Sequence, residues 1–157
     1  MTILGIDPGL HRTGYAIIEE HSTKPVLISC GCITTNQKES LAMRLLEISN
    51  DLENIIKKYK PTAACVESLF FTTNAKTAIA VGQARGVIML ALARNKLFIK
   101  EMTPLQVKMS VTGYGKADKR QVQTMVMKIL NLKKIPKPDD AADACAIAWA
   151  GSGKITF

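Results

Sequence analysis

This chain has too few zinc ligands for a metal cage and too few paired cysteines for a disulfide scaffold. Its 157 residues include two histidines and four cysteines. Cys30, Cys32, Cys65 and Cys145 make no C-x-x-C pair, so a zinc site lacks its usual ligand spacing. All four lie in apolar surroundings and read as buried free thiols of a reducing compartment. Long hydrophobic runs are missing too. The longest uncharged apolar stretch, residues 86–93, is far below the roughly 18 residues that a membrane span needs. The N-terminus, MTILGIDPG, has no basic segment and soon reaches Asp7, which argues against a signal peptide. No repeat, low-complexity tract or linker divides the chain, so one domain over 1–157 is expected. The expectation is a cytoplasmic protein with no membrane partner.

Acidic residues are scarce in one half only. Residues 1–78 carry 8 Lys/Arg and 8 Asp/Glu, whereas residues 79–157 carry 13 and 5. The formal net charge of +8 therefore resides in the second half. Between 85 and 137 there are 12 basic residues and 2 acidic ones. A surplus so concentrated points to an anionic partner such as nucleic acid.

Apolar periodicity gives the order of elements. Residues 2–7 form an apolar run stopped by Pro8-Gly9, which is turn chemistry. Residues 13–19 return after a short loop, and 26–34 make a third strand with Cys30 and Cys32 on one face. The period then changes. Leu41, Leu45, Ile48, Leu52, Ile55 and Ile56 recur at helical spacing until Pro61. Residues 63–67 read as a buried strand, 74–94 as a long helix and 97–102 as a fifth strand. Pro104 marks a helix start, TGYG at 112–115 a loop, and 119–130 and 140–150 two further helices. Three meandering strands followed by strand–helix alternation predict one mixed sheet flanked by helices.

Four carboxylates fall where acids are uncommon. Asp7 and Glu67 each end an apolar strand with no neighbouring cation in sequence, which leaves their desolvation uncompensated. Asp140 and Asp143 are three apart on an alanine-rich helix and share one face. If the two strands are neighbours, Asp7 and Glu67 meet at the strand-end edge where ligands of open α/β sheets bind. With the helix pair they would form an all-oxygen cluster suited to Mg²⁺ or Mn²⁺. Two such ions can activate a water and stabilise the leaving oxygen of a phosphodiester. Simpler roles compete: a turn former for Asp7 and a favourable helix-dipole position for Asp140.

GIDPGLHRTGY (5–15), VESLFF-TTNA (66–75), GQARGV (82–87), QVK (106–108), KADKRQV (116–122) and DDAADACAIA (139–148) together resemble the RuvC Holliday junction resolvases of bacteria. The resemblance covers about residues 2–150. It implies an RNase H-like fold, a five-stranded sheet of order 3-2-1-4-5 with only strand 2 antiparallel. It also implies a homodimer nicking four-way junction DNA symmetrically, and a branch-migration partner of the RuvA and RuvB type. The family's acidic tetrad falls on Asp7, Glu67, Asp140 and Asp143, with Asp139 an extra acid beside it. Its important lysines fall on Lys108 and Lys119, and its junction-facing aromatic on Phe70, followed by Phe71.

The basic half then acquires a use. Arg85, Lys108, Lys116, Lys119 and Arg120 are candidate phosphate contacts, giving a salt-dependent affinity. Phe70 is a candidate for stacking on an unstacked base, and Lys119 for charge stabilisation during catalysis. The expected cofactor is two Mg²⁺ ions, one held by Asp7 and an acid of the last helix, the other by Asp7 and Glu67. Ala78, Gly82 and Gly86 recur at intervals of four in 74–94. Small residues in such a row allow close approach, either of a second subunit or of the helix's own sheet. Three rival readings remain. A two-lobed ATP-binding fold needs more chain, and Gly9-x-x-x-x-Gly14 lacks the Lys-Ser/Thr of a phosphate loop. A sister nuclease acting on ribosomal RNA precursors and a non-catalytic junction binder are the other two.

Overall fold

The computed structural model describes residues 1–21, 24–68 and 75–152, with side chains of the last segment from residue 78. Five strands form one sheet: β1 (Thr2–Asp7), β2 (Arg12–Glu19), β3 (Val26–Thr34), β4 (Ala63–Glu67) and β5 (Phe98–Met102). Their order is β3-β2-β1-β4-β5. β2 is antiparallel to both its neighbours, and β4 is parallel to β1 and β5. The RNase H-like arrangement implied by the motifs is therefore present. Helices α1 (Leu41–Tyr59) and α2 (Ala75–Arg94) lie on one face. On the other lie α3 (Pro104–Thr112), α4 (Lys119–Ile129) and α5 (Asp139–Ser152).

Local chemistry sets the element boundaries. Ser40 caps α1 by accepting from the Met43 amide, and Lys60 ends it in the left-handed region. Thr103 and Gln106 form a reciprocal capping box at α3, with Pro104 in the first turn. Asp118 and Gln121 form another at α4, which fixes Lys119 as its first residue. Each such cap contributes about 1 kcal/mol.

Alternation along the strands separates two cores. Leu4 and Ile6 of β1, and Ala64 and Val66 of β4, point into the core under α1 and α2. Cys65, of opposite parity, points to the α5 side. Gly5 faces α5 as well, and a Cβ there would collide with the Ala144 carbonyl and the Ala148 amide. Gly14 of β2 makes the same allowance for the Asp140 carbonyl. The glycines let α5 lie directly on β1 and β2, and its alanines are buried on nearly every side. Cys65 and Cys145 are buried and free. Cys30 and Cys32 are free but only partly buried, a correction to the expectation of four buried thiols. They lie on the edge strand β3.

Candidate active site

The period of two that buries Gly5 and Cys65 against α5 carries Asp7 and Glu67 to the same face. Gly5 pairs with Cys65 and Ile6 with Val66, so both acids lie at the adjoining ends of parallel strands. α5 begins at that edge. Asp7, Glu67 and Asp143 line one cleft of about 210 Å³, together with Pro104, Lys108 and Lys119. Asp140 stands one turn earlier on α5, within electrostatic reach of Asp7. All four singled-out carboxylates thus converge on one edge of the sheet.

The repulsion bears on Asp7 and Glu67. Burial first, then Glu67, Asp143 and Asp140, pushes the Asp7 carboxyl up from 3.8 to about 8, against an opposing pull from Lys119. Glu67 is raised by burial and by Asp143, while Lys108 and Lys119 pull it back. A site that penalises its own charges in this way favours a cation.

Two cations of the chain already lean on the cluster. Lys119 Nζ lies 2.8 Å from Asp143 and 3.9 Å from Asp139. That hydrogen bond to Asp143 raises the Lys119 pKa, so the amine stays charged. Arg12 lies 3.8 Å from Asp140. Asp139 is drawn away to Lys137 at 2.8 Å, which holds its carboxyl below the usual range.

The donor set suits a hard divalent cation: four carboxylates and no nitrogen or sulfur ligand. Among the described residues no group of three or more His, Cys, Asp or Glu is close enough to hold an ion as it stands. Asp143 is turned to Lys119 and Asp140 towards Arg12. The donor chemistry fits, and the repulsion on Asp7 is what a bound cation would relieve.

The remaining expected residues divide. Lys108 lines the carboxylate cleft. Lys116 is exposed on the loop before α4. Arg120 lines a separate shallow groove with Asp118, Gln121 and Met125. Arg85 is half-buried and ion-paired with Glu101, and its Nε donates to the Glu67 carbonyl at 3.3 Å. Phe70 and Phe71 lie outside the described residues. Sequence reasoning missed Arg12, whose pairing with Asp140 joins α5 to the start of β2. Its only signal was a place five residues after Asp7.

The family model described as "Crossover junction endodeoxyribonuclease RuvC" matches residues 3–150. The chain belongs to the RuvC family. The crossover junction endodeoxyribonuclease RuvC of Natranaerobius thermophilus is 53% identical over 152 residues, which are 97% of this chain and 94% of that protein. The RuvC of Halothermothrix orenii is 56% identical over 148 residues, 94% of this chain and 90% of its own. Among solved structures, T. thermophilus RuvC in complex with a Holliday junction substrate superposes with a TM-score of 0.90 at 32% identity. It covers 96% of this chain and 92% of that one. Among the described residues no helix is long and apolar enough to cross a membrane.

Proposed function

We propose that this protein is a divalent-metal-dependent endonuclease that resolves four-way DNA junctions by paired nicks. The observation that carries the reading is the meeting of Asp7, Glu67, Asp140 and Asp143 at one sheet edge, in a chain of the RuvC family. Asp7, central to the repulsion, would hold Mg²⁺ or Mn²⁺ together with Glu67 on one side and the α5 acids on the other. Two such ions held by these acids would supply an activated water and offset charge on the departing 3′ oxygen, which would leave a 5′-phosphate.

The chain's own groups do the rest. Lys119, held charged by Asp143, places a positive group where the pentavalent phosphate gathers negative charge. Lys108 in the same cleft steadies the strand through its phosphates, and Lys116 on the loop before α4 and Arg120 in its first turn are further phosphate contacts. Arg85 acts differently from a phosphate contact. Its guanidinium is committed to Glu101 and to the Glu67 carbonyl, so it braces the end of β4. Phe70 is proposed to stack on a base at the crossover.

A homodimer puts two such sites on one junction, and α2 is the proposed contact. Ile79 and Leu90 of α2 are 65% and 51% exposed. A Cβ on Gly86 would meet nothing within 4 Å, so its smallness is not used for packing on its own sheet. Gly86 leaves room for the partner's helix, and Ala78 and Gly82 continue its row of small residues at intervals of four. A branch-migration complex is the further partner expected in a cytoplasmic recombination and repair pathway.

The test is cleavage of a mobile four-way junction in Mg²⁺ by wild type and by Asp7→Asn. Paired nicks by the wild type alone support the reading. Binding without nicks in Mg²⁺ or Mn²⁺ leaves a junction-binding module. Preference for structured RNA moves the assignment to ribosomal RNA processing.

A further inference from the structure

Beside the carboxylate cleft lies a second groove, on the side of the sheet that carries α1 and α2. It is lined by Leu10 and His11 of the β1–β2 turn, Arg12 at the start of β2, Arg44 of α1, Val81 of α2, and Asp140. Asp140 belongs to the acidic cluster, so the groove and the cleft adjoin through α5. Three of its lining residues, His11, Arg12 and Arg44, carry a basic or titratable nitrogen.

Arg44 is built into this groove. Its Nε donates to Thr35 Oγ1 at 2.9 Å, and that hydroxyl donates to the Leu10 carbonyl at 2.6 Å. Thr35 is 2% exposed. The Thr35 amide donates to the His11 carbonyl at 3.1 Å, and the His11 ring contacts the Thr35 carbonyl at 3.2 Å. One buried threonine therefore fixes both the turn and the guanidinium. Among the described residues Arg44 has no carboxylate partner. A guanidinium anchored through Nε keeps its two terminal nitrogens as a fork, the geometry that grips phosphate oxygens in pairs. Arg12 stands opposite with its side chain 52% exposed and 3.8 Å from Asp140. Such a long, half-exposed pair contributes about 0–1 kcal/mol, so Arg12 turns to a stronger anion at little cost.

We infer that Arg44 and Arg12 bind a backbone phosphate flanking the scissile one on the same DNA strand. This rests on the junction-cleaving reading above. Successive phosphates of a strand advance by about 3.4 Å along its axis, so a strand held at the acids runs on into the groove. The contact carries no base information. It sets the register of the strand over the acids from the side opposite Lys108 and Lys119.

The experiment measures junction affinity against salt for wild type, Arg12→Gln, Arg44→Gln and Arg44→Lys. Lys57→Gln, in the last turn of α1, is the control. Arg12→Gln and Arg44→Gln should each weaken binding about tenfold, the loss of a charge-assisted contact. Each should lower the slope of log affinity on log salt by about one. Arg44→Lys should recover the slope and only part of the affinity. A neutral methylphosphonate placed at successive positions around the cut should identify one phosphate whose loss reproduces the Arg44→Gln defect without adding to it. Variants within twofold of wild type, or defects that add at every position, overturn the inference. Should Arg44→Gln melt early through loss of its bond to Thr35, Arg12→Gln carries the test alone. Wild type that binds no junction overturns the functional reading and this one together. Wild type that cuts while the variants match it overturns this one only.

Discussion

α5 and α2 are both rich in alanine and glycine, both weakly amphipathic, and they sit on opposite faces of one sheet. α5 is buried from Ala141 to Ser152 except at Asp143 and Trp149. Gly5 and Gly14 beneath it have no space for a single methyl group. α2 buries Ala84, Ile88, Ala91 and Leu92, yet holds Ile79, Gly86 and Leu90 out to solvent. Small residues therefore serve two ends in one chain. In α5 they bring a helix backbone onto the sheet, which fixes where Asp140 and Asp143 stand. In α2 they leave a face uncovered.

The largest effect should come from forcing α5 off its seat. Gly14→Ala places a methyl group against the Asp140 carbonyl, and overpacking of this kind costs about 1–3 kcal/mol. Thermal melting should fall accordingly, and nicking should fall further than folding because Asp140 moves with its own backbone. A variant that melts like wild type and cuts normally would mean the helix has slack that its packing does not show.

The charge that α5 helps to concentrate gives a second effect, readable without any substrate. Asp7 has a folded pKa of about 8 against 3.8 for the free group. Between those values the folded state binds more protons than the unfolded one, so stability falls as pH rises from about 4 to 8. Denaturant titrations in chelator should show that loss as a continuous fall across this range. Asp7→Asn should flatten the slope and leave the protein more stable than wild type at pH 8. Divalent cation should flatten it in the wild type. A pH-independent wild type in chelator would remove the electrostatic argument for a metal site.

How much of this could be read from residues alone follows from the same contrast. Glu67 was legible because a glutamate ending an apolar strand has no cheap structural explanation, and Asp7, which could have been a turn former, was legible as its counterpart on another apolar strand. The start of α3 was legible from Pro104, whereas the edge where the acids meet needed a strand order that only the family resemblance implied. Gly5 and Gly14 were not legible, because a glycine inside a strand announces only weak propensity. What makes them necessary is α5, which follows more than a hundred residues later. Arg12 and Arg44 were missed for a similar reason. Each is an ordinary surface cation until Thr35 joins the β1–β2 turn to α1. The breadth of the basic half drew attention to Arg85, which the fold spends on Glu101 and the Glu67 carbonyl.

The smallest effect on folding should come from α2, and it sharpens the comparison most. Gly86→Ala adds a methyl group into open space and replaces the poorest common helix former but one, so it should raise stability by about 1 kcal/mol. The same change that damages the seat of α5 should thus improve α2 in isolation. Self-association should respond in the opposite sense. If a second copy approaches over Gly86, alanine weakens the dimer modestly, and Gly86→Glu, which adds bulk and a charge to an apolar contact, weakens it strongly. Sedimentation across a concentration series reads the dimer, and denaturant unfolding at dilution reads the monomer. Loss of association with folding intact would show that the open face of α2 is used between chains. Unchanged association for both variants would move the subunit contact away from α2, and the exposure of Ile79 and Leu90 would need another cause.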